Sequence, residues 1–155
     1  MAATRQQLVS DVGRAMQAYQ RSTQAFDDEV GRELGVNPVD LRCLDWLTEG
    51  PMTASRLAEA TGLSAAATTS MIDRLERKGF VRRRRGDGDR RQVLVEFTED
   101  GLRRVGELYG PLVAAGEPLL SSLSKEQLDV MRDQLVHMRE LTDRQRERLR
   151  TVDAG

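Results

Sequence analysis

Apolar residues in the first part of the chain recur at steps close to three and four, which is the spacing of one face of an α-helix. The stripe consists of Leu8, Val12, Met16, Tyr19, Phe26 and Val30. Thr4 followed by Gln7 matches a capping box, so we predict that the helix begins there. A stripe of about seven turns is longer than a small domain needs to bury. We therefore expect the far end of this helix to pack on another chain.

A second helix is predicted to begin at Asn37, because an Asn cap followed by Pro38 at the first helical position is a common start. Leu41, Leu44 and Leu47 supply its buried face, and Gly50-Pro51 is expected to end it. A very short strand at residue 52 is expected to follow.

Two further helices are separated by a Gly turn. Thr53 caps the first, Thr61-Gly62 makes the turn, and Ser64 caps the second. The buried face of the second helix is predicted to hold Thr68, Met71, Ile72, Leu75 and Gly79. Its other face carries small residues at 65–70 instead of Lys and Glu, and small side chains let a helix backbone approach a groove closely. This spacing is typical of a helix–turn–helix.

After Phe80 the period of the pattern changes to two, which predicts strands. Residues 86–89 read Gly-Asp-Gly-Asp, which favours a tight turn between two strand-like runs. Val93, Val95 and Phe97 are expected on one face of the second strand. We predict a hairpin with positive charge near its tip, the wing of a winged helix.

The remaining residues predict two more helices. Thr98 caps the first, in which the prolines at 111 and 118 are expected to kink or interrupt the helix. Ser124 with Gln127 forms a second capping box for the last helix. Its inward residues are predicted to be Leu128, Met131, Leu135, Met138 and Leu141. After about Arg144 the pattern is polar, and we expect fraying.

Charge is distributed unevenly along the chain. The net charge is −1, but residues 74–91 contain nine basic and three acidic residues, which gives that stretch +6. A concentrated basic patch on an otherwise acidic protein indicates phosphate binding, and the alternative is a solvated charged loop.

Several classes of protein are disfavoured by the composition. The sequence has no apolar run long enough to span a membrane, and its first residues lack the apolar middle of a signal peptide, so we expect a cytoplasmic location. The single cysteine, Cys43, excludes an intramolecular disulfide. The single histidine, His137, is poor evidence for metal or catalysis. We expect no enzyme, no metal site and no cofactor.

Residues 61–101 resemble the signature of the multiple-antibiotic-resistance regulator (MarR) family of bacterial winged-helix repressors. The matching elements are Asp73-Arg74-Leu75-Glu76, Gly79-Phe80-Val81, Asp89-Arg90-Arg91, and Phe97-Thr98 ahead of Gly101. The resemblance implies a mainly α fold with a small β-hairpin wing. Residues 1–36 and 101–155 would be dimerisation helices, and 37–100 a winged helix–turn–helix DNA-binding lobe, with the recognition helix at about 64–79 and the wing at about 80–98. It further implies a homodimer whose lobes face successive major grooves of a pseudo-palindromic operator in double-stranded DNA.

The resemblance also assigns roles to individual residues. Ser64, Ala66, Thr69 and Ser70 occupy positions where the family's recognition helix meets base edges and phosphates. Arg74 and Arg77 are better placed for phosphates. Asp89 and Arg91 match the wing pair in which the acid holds the tip and the arginine enters the minor groove. Backbone contacts are assigned to Arg84, Arg85 and Arg90.

Other interpretations remain open at this stage. Arg74 could instead pair with Asp73, Glu76 or an acid on the neighbouring helix, and Asp89 could be only a turn residue. Arg82 and Arg83 alternate in the strand, so one of them is expected to point to solvent without a partner.

Members of the family often respond to small phenolic or carboxylate ligands in a cleft between the dimer helices and the DNA lobe. By that resemblance the lining residues would be Met16, Tyr19, Trp46, Leu108 and Tyr109. The alternative is that these residues are ordinary core. Some relatives sense hydroperoxides through a cysteine near the start of the first helix, where this chain has none, and we interpret Cys43 as a buried small residue.

The leading hypothesis is therefore a dimeric, sequence-specific DNA-binding regulator, more specifically a repressor of its own or a neighbouring operon that a small-molecule effector relieves. The alternatives are a winged-helix module that binds protein instead of DNA, and a thiol-based redox sensor acting through Cys43.

Overall fold

The computed structural model of the chain describes residues 3–86 and 92–152. In these residues six helices and three short strands follow one another. They are α1 (Arg5–Leu34), α2 (Pro38–Leu47), β1 (Met52–Thr53), α3 (Ala54–Thr61), α4 (Ala65–Arg77), β2 (Val81–Arg85), β3 (Val93–Phe97), α5 (Glu99–Ser121) and α6 (Lys125–Val152). The predicted fold class, mainly α with a small β-hairpin, is confirmed.

The chain divides into two compact units after Leu108. The first unit holds α1 to β3 and the start of α5, and the second holds the rest of α5 and α6. No helix in the described ranges is both long and apolar enough to cross a membrane.

Short polar side chains begin the helices where the sequence predicted caps. Both hydrogen bonds of the Thr4–Gln7 capping box are present at α1. Ser64 Oγ accepts a hydrogen bond from the Ala67 N–H, 3.2 Å away, and so caps α4. Gly62 ends α3 with φ at 75°, a left-handed conformation that favours glycine. The turn between α3 and α4 therefore depends on its glycine.

The core of the first unit lies where the helix–turn–helix meets the sheet. The predicted face of α4 is confirmed for Thr68, Met71, Ile72 and Leu75, which are all buried. Gly79, predicted on the same face, lies beyond the end of the helix and is half-buried. Other fully buried apolar side chains come from α2, α3 and the strands: Leu44, Leu57, Phe80, Val81 and Val95. This packing leaves the opposite face of α4 towards solvent.

The three strands form an antiparallel sheet in the order β1-β3-β2. Val81 pairs with Phe97 at one end of the hairpin and Arg85 with Val93 at the other, so β2 is an edge strand. The Gly86 N–H donates to the Gln92 carbonyl, 2.8 Å away, beyond the last strand pair. Of the three residues predicted on one face of β3, Val95 is buried, Phe97 is half-buried and Val93, at the far end of the ladder, is 49% exposed.

Thr98, directly after β3, forms a junction that joins α4, the hairpin and α5. Thr98 Oγ1 donates to the Gly79 carbonyl at 2.6 Å and accepts from the Gly101 N–H at 2.9 Å, which confirms the predicted cap of α5. A Cβ at Gly101 would lie 2.2 Å from the Phe80 carbonyl oxygen. Only a glycine allows the first turn of α5 to approach the hairpin this closely.

Three expected helix ends differ in the structure. α2 ends at Leu47, and turn hydrogen bonds carry the chain to Gly50. α5 is not interrupted, since it continues through Pro111 and Pro118. A kink, the other expected effect of these prolines, stays a prediction. Fraying after Arg144 is also wrong, because α6 continues to Val152 through Arg, Gln, Glu and Leu, which are strong helix formers.

Each unit exposes apolar side chains on its long helices within the single chain. On α1, Leu8, Val12 and Tyr19 are more than half exposed, and only the last turns, with Val30 and Leu34, are buried. On α6 the predicted inward residues are all exposed: Leu128, Met131, Leu135, Met138 and Leu141. Within the described residues of one copy, these side chains are exposed to solvent.

Candidate nucleic-acid interface

The solvent-facing side of α4 carries small side chains. Ser64, the N-cap, and Ala66, Thr69 and Ser70 of α4 are all exposed. No long side chain projects from these positions, so a flat partner could approach the α4 backbone closely. Their role in contacting DNA stays a prediction.

The hydroxyl groups of α4 differ in the hydrogen bonds that they can still form with a partner. Thr69 Oγ1 donates to the Ala65 carbonyl at 3.0 Å, so its proton is engaged while its oxygen can accept. The structure gives Ser70 no hydrogen bond to a described residue, which leaves its hydroxyl able both to donate and to accept. Thr68 is buried, and its hydroxyl donates to the Ser64 carbonyl at 2.9 Å. Ser70 is therefore the more versatile polar group of the face.

Two arginines extend the face with positive charge. Arg77, in the last turn of α4, is exposed, and its Nε donates to the Asp73 carbonyl at 3.3 Å. Arg85, the last residue of β2, is also exposed. Within the described part of the chain, neither guanidinium forms an ion pair. Both cations are therefore available to an anionic partner.

Arg74 has a different environment. Its Nη2 and Nε lie 2.6 and 3.3 Å from the two carboxylate oxygens of Asp40 on α2. Asp40 is 1% exposed, and the hydrogen bond to it raises the pKa of Arg74. Of the alternatives left open by the sequence, the structure shows the pair with an acid on the neighbouring helix.

The arginines of β2 are all close to acids or to the end of the hairpin. Arg82 Nη2 and Arg84 Nε lie 2.8 and 2.6 Å from Glu96 of the adjacent β3. These hydrogen bonds, that of Arg84 first, lower the pKa of Glu96. Arg83 pairs with Asp73 and Glu76 of α4. The expectation that Arg82 or Arg83 would lack a partner is wrong, because one face of the strand meets Glu96 and the other meets α4.

The end of α4 is fastened to α1 and α5. Lys78 Nζ donates to the carbonyl of Gly35, the residue that ends α1, where the helix dipole favours a cation. Arg104 of α5 donates to the Lys78 carbonyl at 3.1 Å, and its guanidinium lies 4.0 Å from the centre of the Phe80 ring. These contacts hold the C-terminal end of α4 to α1 and α5.

The predicted wing residues Asp89, Arg90 and Arg91 lie outside the described residues. Their assigned roles stay predictions that rest on the resemblance.

The residues predicted to line an effector site have different exposures. In the first unit Met16, Trp46 and Leu108 are half-buried, and Tyr19 is 75% exposed. Tyr109 is half-buried and belongs to the second unit. Their role as an effector site stays a prediction.

Cys43 is fully buried in α2, which confirms its interpretation as a buried small residue. Burial, and after it the charge of Asp40, raises the pKa of the thiol from 9.0 to about 12. Because the thiolate is the reactive form, this environment opposes redox chemistry. In the described ranges, no group of His, Cys, Asp and Glu could hold a metal ion.

Sequence reasoning missed the acids that organise the basic residues. Asp40 was not named, although an acid on the neighbouring helix was left open as a partner of Arg74. Glu96 was not identified as a partner of the β2 arginines. The one available signal was the position of Glu96 in a strand paired with an arginine-rich strand, where opposite charges face each other.

Comparison with known proteins agrees with this geometry. The profile of the MarR family matches residues 36–93. The HTH-type transcriptional regulator YcgE of Bacillus subtilis (strain 168) is 34% identical over 110 residues, which cover 70% of this chain and 71% of that protein. The HTH-type transcriptional repressor MdtR of the same organism is 31% identical over 123 residues, or 79% of each chain.

A solved structure shows the same fold. S. aureus MepR, a mutant bound to an oligodeoxyribonucleotide, superposes with a TM-score of 0.55 over 84% of this chain and 97% of that one, at 19% identity. The resemblance stated from the residues is thus confirmed, and the chain belongs to the MarR family of HTH-type transcriptional regulators.

Proposed function

We propose that the protein is a dimeric regulator of transcription that binds a specific, pseudo-palindromic DNA operator. The observation that carries the proposal is the exposed side of α4, with its small and hydroxyl side chains and the cation Arg77, together with the exposed cation Arg85 at the end of β2. Small side chains let the helix backbone come close to base edges, and exposed cations attract phosphates.

In this proposal α4 enters the major groove. Ser64, Ala66, Thr69 and Ser70 contact base edges and phosphates. Because hydroxyl groups discriminate weakly among bases, much of the specificity comes from DNA shape and bridging water. Arg77 and Arg85 contact phosphates, and Arg84 contributes while it also pairs with Glu96. By family resemblance, Asp89 holds the wing tip, Arg91 enters the minor groove and Arg90 contacts the backbone.

Dimerisation is supported by the apolar stripes that α1 and α6 expose. A second copy of the chain would cover them and would set the spacing of two α4 helices. Dimers of helix–turn–helix proteins contact half-sites about 34–36 Å apart. The proposed operator is therefore two half-sites separated by one turn of DNA.

The proposal further assigns a repressor role and a response to a phenolic or carboxylate effector. The relative MdtR is named a repressor, which supports the first part. For the second, Met16 and Trp46 offer half-buried apolar surface in the first unit. Because its target is chromosomal DNA, the proposed protein acts in the cytoplasm.

The experiment that tests this function measures binding of the purified protein to DNA flanking its own gene, by fluorescence anisotropy across a salt series. We expect tight binding at low salt and a steep loss of affinity as salt rises, since each phosphate contact releases counterions. Arg91→Ala and Arg85→Ala should weaken binding and flatten the salt slope, with unchanged helix content and dimer mass.

Arg21→Ala is the matched control, since it removes the same charge from an exposed position of α1. Equal effects of all three variants would contradict the assigned surface. The absence of any complex at low salt would instead favour a module that binds protein.

A further inference from the structure

The ion pair between Asp40 and Arg74 joins the start of α2 to the middle of α4. Asp40 is almost completely buried, while Arg74 keeps about a third of its side-chain surface exposed. Both carboxylate oxygens accept a hydrogen bond, one from Nη2 and one from Nε. The two-pronged geometry fixes the direction of the guanidinium plane as well as its distance.

Arg74 is the partner that makes the buried charge of Asp40 tolerable. In the described part of the chain, no other cation pairs with this carboxylate and no buried polar side-chain atom lacks a hydrogen bond. The backbone N–H of Asp40 is engaged by the Asn37 cap, so it does not serve the carboxylate. If Arg74 turned away, Asp40 would be left as an unpaired buried charge.

Breaking a buried ion pair costs more than an exposed phosphate contact gains, because the uncompensated buried carboxylate cannot regain its hydration. The energetic balance therefore keeps Arg74 on Asp40 when DNA is present. Arg77, one turn further along α4, has only a backbone carbonyl to leave. The two arginines of α4 thus differ in availability although the sequence makes them equivalent.

We propose that Asp40 and Arg74 form a positioning pair that sets the orientation of α4 for operator recognition, and that Arg74 contributes no phosphate contact. This inference rests on the proposed function in DNA binding. Arg74 acts through the placement of Ser70 and Thr69, which lie on the preceding turns of the same helix. Phosphate contacts are left to Arg77 and the hairpin.

The test compares wild type, Arg74→Lys, Arg74→Met and Arg77→Met on two duplexes. One duplex is selected by the wild-type protein from a random pool, and the other is a scrambled sequence of equal length. Affinity is measured on both across a salt series. Circular dichroism and thermal unfolding establish that each variant is folded at the assay temperature.

Arg77→Met should weaken binding to both duplexes and reduce the slope of log affinity against log salt by about one contact, roughly 0.9. Arg74→Lys and Arg74→Met should leave the scrambled-duplex affinity and slope unchanged. Both should reduce the preference for the selected duplex by tenfold or more, since lysine retains the charge but lacks the two-pronged geometry.

Arg74→Lys distinguishes a positioning role of Arg74 from a phosphate contact even if Arg74→Met fails to fold. A lysine that restores wild-type preference would overturn the inference, because charge alone would then suffice. A fall in slope for Arg74→Met equal to that of Arg77→Met would also overturn it, by showing a phosphate contact. If the wild-type protein selects no duplex from the pool, both the proposed function and the inference are overturned, and this result is distinguishable from the two above.

Discussion

Arg83 of β2 lies across the interface from Asp73 of α4, with Nη2 2.6 Å from the carboxylate oxygen Oδ1. The same guanidinium pairs with Glu76 one turn further on, and the Arg83 backbone N–H donates to Glu76 at 3.2 Å. The hairpin and α4 are therefore joined through side chains as well as through the short connection between them. The orientation of the wing relative to α4 depends on this link.

Arg83→Met should weaken operator binding, because the ion pairs that fix the hairpin's orientation relative to α4 are lost. The free energy of unfolding should fall by about 1 kcal/mol or less, since these partly exposed ion pairs are screened by solvent. Anisotropy measures the affinity and urea unfolding the stability. Arg82→Met is the control, as it removes the same charge while Arg84 still pairs with Glu96. An equal loss of affinity in both variants would argue against a role for the link.

Gly101→Ala should destabilise the first unit by about 3 kcal/mol, the upper part of the range for overpacking. The added Cβ would lie 2.2 Å from the Phe80 carbonyl oxygen, so α5 or the hairpin would have to shift. Gly106→Ala, in the same helix, meets nothing within 4 Å and should stabilise by about 0.5–1 kcal/mol. Thermal and urea unfolding of both variants provide the comparison, and a similar effect of the two would show that the close approach does not exist.

Cys43 should be inert to a thiol reagent in the native protein at pH 8 and should react at once in denaturant. Its pKa is raised from 9.0 to about 12, mainly by burial. Between these values the unfolded chain loses the thiol proton and the native chain keeps it, so stability falls as pH rises. The free energy of unfolding falls by at most about 1.4 kcal/mol per pH unit.

Cys43→Ala lacks this titration. The difference in unfolding free energy between wild type and Cys43→Ala should therefore be constant below pH 9 and decrease above it. Rapid native-state modification, or a difference independent of pH up to 11, would contradict the buried thiol.

Leu135→Glu should convert the proposed dimer into a monomer, because it places a charge in the exposed apolar stripe of α6. His137→Glu is the matched control: residues two apart on a helix point in nearly opposite directions. Light scattering after size-exclusion chromatography measures the mass. A dimer that survives Leu135→Glu would place the interface elsewhere.

Local chemistry was sufficient to predict most of the elements. The Thr4–Gln7 box, the Ser64 cap and the Gly62 turn involve neighbouring residues only, and the buried face of α4 follows from helical spacing. The sequence allowed a partner for Arg74 on the neighbouring helix but could not identify Asp40. The two residues are 34 positions apart, and their pairing depends on how α2 packs against α4. Arg82 and Arg83 were misjudged for the same reason. Alternation shows that they point to opposite faces, but not that Glu96 and α4 occupy those faces.

The place of β2 at the edge of the sheet has a consequence for self-association. A strand edge offers backbone groups to any passing strand, including that of another copy, although the Arg83 N–H on this edge already donates to Glu76. Here the edge carries four successive arginines, Arg82 to Arg85, only partly neutralised by Glu96, Asp73 and Glu76. Two such edges brought together would set guanidinium against guanidinium. The charge that suits the hairpin to a polyanion therefore also discourages the sheet from growing into an aggregate.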